Sequence, residues 1–85
     1  MKKITVTPEQ ARKWLDRQKP NPEERRPINS VVVGHFVEDM RESRWLPNGA
    51  PIVFDKDNQI LDGMHRIVAV AEAGVPVEFI VIGPS

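Results

Sequence analysis

Apolar and polar residues follow one another along the chain in a pattern that predicts seven short elements. The first is a strand over the apolar run Ile4–Val6. A helix is expected next, because Thr7 is a capping residue, Pro8 suits the first helical position and Gln10 completes a capping box. Pro20 and Pro22 end this helix. Its stripe at spacings of three and four comprises Ala11, Trp14, Leu15 and Gln18.

A second helix is predicted after a proline-rich loop over residues 20–29, with Asn29 or Ser30 as its cap. Trp45 and Leu46 close its apolar side, and Pro47-Asn48-Gly49 reads as a turn. The stripe recurs at spacings of three and four. It comprises Val32, Val33, Phe36, Val37 and Met40.

The second half of the chain predicts a hairpin, a helix and a last strand. Residues 51–54 and 59–61 read as strands around a turn over residues 55–58. A third helix should start at residues 62–64 and end at Ala73, where Gly74 stops it. The last strand, residues 76–82, is almost entirely apolar, which predicts burial on both faces inside the sheet. The order β-α-α-β-β-α-β indicates a small α+β fold with a mixed sheet and three helices.

Periodicity also predicts which side chains form the core. In the third helix, Met64, Ile67, Val68 and Ala71 share one face and should be buried. We expect both tryptophans to pack in the core and not to stack on bases. The largely buried residues should be Trp14, Phe36, Met40, Trp45, Ile67, Val70 and Ile80.

Composition narrows the classes of function. A length of 85 residues predicts one domain, and the lack of cysteine excludes disulfides, thiolate metal sites and cysteine catalysis. The start Met1-Lys2-Lys3-Ile4 is not followed by the apolar stretch of a signal peptide, so we expect a soluble, cytoplasmic protein. Residues 1–45 carry ten Lys/Arg against seven Asp/Glu, a net +3, and residues 46–85 carry two against five, a net −3. This balance lacks the clear basic excess of proteins that bind DNA through its phosphates.

The segment Asp62-Gly63-Met64-His65-Arg66 stands out as a candidate site, because it joins a strand to the first turn of a helix. The first N–H groups of a helix lack internal partners, and the helix dipole is positive there. Gly63 lets a ligand approach the backbone, while His65 and Arg66 add side-chain donors. We expect their polar ends to face a common cleft that holds phosphate.

Together with neighbouring residues, this segment resembles a known family. Residues 51–55, Ile60–Val70 and 73–77, with Arg26-Pro27-Ile28 and Asp39-Met40 … Trp45, look like the small stand-alone ParB-like nuclease domain found in bacteriophages and actinobacteria. The resemblance spans roughly residues 4–82 and is most specific in Asp62-Gly63-x-His65-Arg66-x-x-Ala69. It implies the ParB/sulfiredoxin-like fold and a single ParB-like domain over residues 1–85.

The resemblance implies several activities. ParB-type partition proteins bind cytidine triphosphate through a Gly-x-x-Arg motif that Gly63 and Arg66 match. Free-serine kinases of this fold place Asp-Gly-x-His-Arg around nucleotide phosphates, and Asp62 and His65 match that motif too. Sulfiredoxins carry a cysteine where this chain has Met64, so their reaction is excluded. The chain ends at Ser85, without room for the DNA-binding and dimerisation domains of partition proteins, so we expect no partition function.

The leading hypothesis is a phosphate- or nucleotide-binding module. Gly63, Met64 and the following N–H groups would hold phosphate, Arg66 would neutralise it, and Mg²⁺ would accompany a nucleotide. Any reaction would be phosphoryl or phosphodiester chemistry, with Asp62 and His65 as its catalytic groups. DNA is a weaker candidate partner. The alternative is a phage-type, non-enzymatic module that binds a host protein.

Plainer roles exist for the same residues. Asp62 would cap the third helix and pair with Arg66 four residues on. Arg25 and Arg26 suit a solvated loop, although they would be auxiliary phosphate ligands if the loop approached the site. No metal site is expected, because His35 and His65 are the only histidines and lack ligand spacing.

Overall fold

The computed structural model describes residues 2–18, 28–45 and 51–83. No helix in these ranges is both long enough and apolar enough to cross a membrane. The elements occur in the predicted order, and the α+β class is confirmed. They are β1 (Lys2–Val6), α1 (Pro8–Asp16), α2 (Ser30–Arg41), β2 (Ile52–Phe54), β3 (Ile60–Asp62), α3 (Met64–Ala73) and β4 (Val77–Ile82).

The strands form a mixed four-stranded sheet in the order β1-β4-β2-β3. β4 lies antiparallel to β1 and parallel to β2, and β3 is antiparallel to β2. The predicted interior place of the last strand is confirmed, but its burial on both faces is wrong. Val77 and Phe79 are buried, whereas Glu78 is exposed and Ile80 only half-buried. Among the described residues, a core cluster unites buried residues of the three helices with this one face of the sheet.

The core contains most of the predicted residues. Trp14, Met40, Ile67 and Val70 are buried, as expected. Phe36 and Trp45 are half-buried and pack edge to face against each other, with ring centroids 5.3 Å apart. Trp45 also packs against Phe79, with ring centroids 5.6 Å apart. This packing favours a core role for Trp45 over base stacking.

The buried face of helix α3 overlaps the predicted one only in part. Met64, Val68 and Ala71 are only half-buried, and the buried residues are Ile67, Ala69, Val70 and Ala73. Both α1 and α2 pack against this helix. Two neighbouring helices widen the buried arc, and the small alanines allow close approach. Val32, expected in the stripe of α2, is likewise 37% exposed.

Three local signals for helix ends are confirmed, but Gln10 does not complete the predicted capping box, because its side chain forms no hydrogen bond with any residue that the structure describes. The Thr7 hydroxyl accepts a hydrogen bond from the Gln10 N–H at 3.1 Å, and Asn29 caps α2 through the N–H groups of Val31 and Val32. Gly74 ends α3 with φ of +72°. Leu46 and the turn Pro47-Asn48-Gly49 lie outside the described residues.

Gly34 offers a simple test of helix propensity in α2. A Cβ atom at this position would meet no atom within 4 Å, so alanine fits without displacement. Glycine costs about 0.5–1 kcal/mol relative to alanine inside a helix. Gly34→Ala should therefore raise the free energy of unfolding by about that amount, measured by urea denaturation. A lower urea midpoint would show that α2 needs glycine there.

Candidate functional site

The start of α3 is built on a glycine with an unusual backbone conformation. Gly63 is the N-cap, with φ of +108°, and it has no side chain to cap the helix. The residue is buried, and a Cβ atom placed on it would overlap the Cδ1 atom of Ile52. Its carbonyl accepts the first intrahelical bond, from the Ile67 N–H at 3.0 Å. The N-cap residue of α3 therefore supplies no capping side chain, unlike those of α1 and α2.

Asp62 is not the cap that the sequence suggested. It is the last residue of β3 and pairs with Val53 of β2, so its backbone is part of the sheet and not of the helix. The chain turns one residue later, at Gly63, where a left-handed conformation is available. The Asp62 side chain is 66% exposed, and its Oδ1 lies 3.7 Å from Nη2 of Arg66. The predicted pairing of these two residues is thus confirmed.

Arg66 is held against the start of β2. Its side chain is only 11% exposed, and Nη2 donates a hydrogen bond to the carbonyl of Pro51 at 3.2 Å. Burial lowers the pKa of Arg66, and the negative charge of Asp62 offsets only part of this shift. A guanidinium stays protonated in proteins, so the positive charge beside the helix start does not depend on pH.

His65 contacts a different element. Its Nε2 accepts a hydrogen bond from the backbone N–H of Asn29 at 3.0 Å, which links the start of α3 to the cap of α2. Because Nε2 accepts, the neutral ring carries its proton on Nδ1. Nothing in local sequence pairs residues 36 positions apart, so this contact was missed.

The predicted site residues are therefore adjacent, but their polar ends have separate partners. His65 bonds to the backbone of Asn29, and Arg66 to the backbone of Pro51. Among the described residues the two side chains share no polar partner, and the expected common cleft would lie between the Asn29 contact and the Pro51 contact. Arg25 and Arg26, the predicted auxiliary ligands, lie outside the described residues. Within the described ranges, no three side chains of His, Asp or Glu come together as a metal site.

Comparison with protein-family models, curated proteins and solved structures finds no match for this chain. The likeness to ParB-like domains therefore stays a prediction from the motif around Gly63. What the structure supports on its own is the α+β architecture and the geometry of the helix start.

Proposed function

We propose that the start of α3 binds a phosphate group, either as the free ion or as part of a nucleotide. The observation that carries this is the helix start at Gly63, an N-cap that is left-handed, buried and without a side chain of its own. A cap of the usual kind would occupy the N–H groups that an anion needs. Gly63 has no side chain that could occupy them, and the helix dipole adds attraction for negative charge.

Arg66 supplies the charge in this arrangement. The hydrogen bond to Pro51 fixes its guanidinium beside the first turn, so little freedom is lost when an anion binds. Backbone N–H groups of Met64 and His65 would bind the phosphate oxygens. His65 would stabilise the helix start through Asn29, or donate from Nδ1.

Asp62 opposes anion binding, because its exposed carboxylate already lies near Arg66. We therefore expect a dissociation constant in the millimolar range for free phosphate. With a nucleotide, Mg²⁺ usually takes one or two carboxylates and completes its shell with phosphate oxygens and water. Asp62 would be that carboxylate. A phosphoryl or phosphodiester reaction would further require proton transfer by Asp62 or His65.

Asp62→Asn should strengthen the binding of metal-free phosphate. The change removes a negative charge beside the proposed site and keeps the side-chain shape. Removing one exposed repulsive charge at contact distance contributes about 1 kcal/mol, or roughly fivefold in Kd. The measurement is a phosphate titration that follows the backbone amide NMR signals of Met64, His65 and Arg66. ATP and CTP, each with and without Mg²⁺, and a short DNA duplex provide further arms.

Asp57→Asn is the matched control, because it removes the same charge from the exposed hairpin turn. It should leave the phosphate Kd unchanged. If neither the wild type nor Asp62→Asn shifts these amides in a saturable way, phosphate is not the ligand of this site. An equal gain in Asp57→Asn would show a general charge effect instead of a site.

A second candidate function is favoured by exposed apolar residues around the start of α2. Ile28 is 43% exposed, Val31 68% and Val32 37%. They flank Asn29, whose N–H bonds to His65, so this apolar surface adjoins the start of α3. Exposed apolar groups of this kind suit a protein partner. A failed phosphate titration would make this non-enzymatic interaction module the better assignment.

A further inference from the structure

A separate cleft lies between α1 and the buried face of the sheet. Its volume is about 220 Å³, and its walls include Phe54 at the end of β2 and Gly83 just after β4. The start of α3 contacts Pro51, at the other end of β2. The cleft is therefore distinct from the proposed phosphate site.

The floor of the cleft is apolar and partly aromatic. Trp14 and Phe54 meet edge to face, with ring centroids 5.0 Å apart, and Ile4 and Val81 extend the apolar surface. A Cβ atom on Gly83 would lie only 2.7 Å from the Cβ of Phe54. Because glycine has no side chain, position 83 leaves the space beside Phe54 open.

The rim of the cleft carries two polar side chains, Arg17 and Gln10, with N–H groups that can donate further hydrogen bonds. Arg17 donates from Nη2 to the Asn58 carbonyl at 3.2 Å, and the Arg17 carbonyl accepts from Gln59 at 3.2 Å. These contacts hold Arg17 against the hairpin, and none of them is to a carboxylate. Within the described ranges, the Arg17 guanidinium forms no ion pair and the Gln10 side-chain amide forms no hydrogen bond.

The charged residue that lines the cleft, Arg17, is positive. No acidic residue lines the cleft. Strand alternation places Lys2 on the same face of β1 as Ile4, and Lys2 pairs in register with Val81. Lys2 is exposed and makes no ion pair with any residue that the structure describes. In the adjacent hairpin, Asp55 uses Oδ1 to accept from two backbone N–H groups of its own turn.

We propose that this cleft binds a compact ligand that combines one planar apolar ring with one carboxylate. The ring packs on Trp14 and Phe54, and the carboxylate accepts from the free N–H groups of Arg17, with Gln10 as a further donor. The volume is below the roughly 300–1,000 Å³ of sites for drug-sized ligands, which limits the occupant to about one ring and a short chain. Such a group occurs in free aromatic acids and at the carboxyl end of a peptide that terminates in phenylalanine.

Titration with 3-phenylpropionate tests this proposal, with the indole N–H signals of Trp14 and Trp45 resolved by NMR. The Trp14 signal should shift and saturate, while Trp45, which packs on Phe36, should not move. Arg17→Gln should weaken binding by about tenfold or more. Lys13→Gln removes an exposed charge from the same helix outside the cleft and should leave the Kd unchanged. 2-Phenylethylamine, which has the ring but an ammonium group, should not bind.

A second arm compares peptides ending in phenylalanine with a free carboxylate and with an amide. Tighter binding of the free-acid peptide than of 3-phenylpropionate would identify a chain terminus as the source of the ligand; the reverse would identify a small acid. If Arg17→Gln does not fold, Arg17→Lys replaces it and should weaken binding several-fold. The proposal is overturned if no acid shifts Trp14 in a saturable way, if the amine binds equally well, or if changing Arg17 leaves the Kd unaltered.

Discussion

Ile67→Ala is expected to lower the free energy of unfolding by about 2–5 kcal/mol. Ile67 is fully buried in α3, where the core cluster joins the helices to the sheet. The truncation loses buried apolar surface and leaves a cavity that a small, tightly packed domain fills poorly. Domains of this length have a total stability of roughly 4–13 kcal/mol, so this one change removes a large share of it.

Urea denaturation followed by tryptophan fluorescence measures the effect. Leu61→Ala is the matched control, because Leu61 is 67% exposed on β3 and should change stability by about 0.5 kcal/mol or less. A similar loss in both variants would mean that exposure does not separate core from surface in this fold. Ile67→Val should fall between them, at about 0.5–1.5 kcal/mol.

Gly63→Ala is expected to destabilise the domain by about 2–6 kcal/mol, for two separate reasons. The φ of +108° is strained for any residue with a side chain, which costs about 1–3 kcal/mol. The new Cβ also overlaps Ile52, a fully buried residue, and overpacking adds about 1–3 kcal/mol. The thermal midpoint should fall accordingly.

Gly74→Ala separates these two causes. Gly74 also has a positive φ, of +72°, but a Cβ atom there meets nothing within 4 Å. It should therefore show only the conformational cost, about 1 kcal/mol. Equal losses at the two glycines would exclude a steric role for Gly63. A larger loss at Gly63 would show that the start of α3 requires glycine for its packing, whether or not a ligand binds there.

Much of the fold could be predicted because its signals are local. Thr7 and Asn29 cap helices, and Asp55 closes its hairpin, through hydrogen bonds to residues at most four positions away. Such interactions depend on a few consecutive residues, so sequence is enough to predict them. The order of elements and the interior place of the last strand followed from the same kind of signal.

For the candidate site, the sequence determined the position and the residue types but not the contacts. Spacing alone indicated a helix start at residues 62–64 and a pairing between Asp62 and Arg66. It did not show that Asp62 is still the last residue of the strand and that Gly63 is the N-cap of the helix. The paired strands β2 and β3 decided that, because Asp62 remains in the ladder.

The distant partners were decided only by the tertiary structure. Arg66 reaches the Pro51 carbonyl, and His65 the Asn29 N–H, because the sheet and α2 bring these backbone groups to the start of α3. The buried arc of α3 and the one-sided burial of β4 arise in the same way, since two helices pack on α3 while Val77 and Phe79 face the core and Glu78 does not. Periodicity shows that a segment has an apolar side, but burial also depends on how many neighbours surround that side, and those neighbours come from distant parts of the chain.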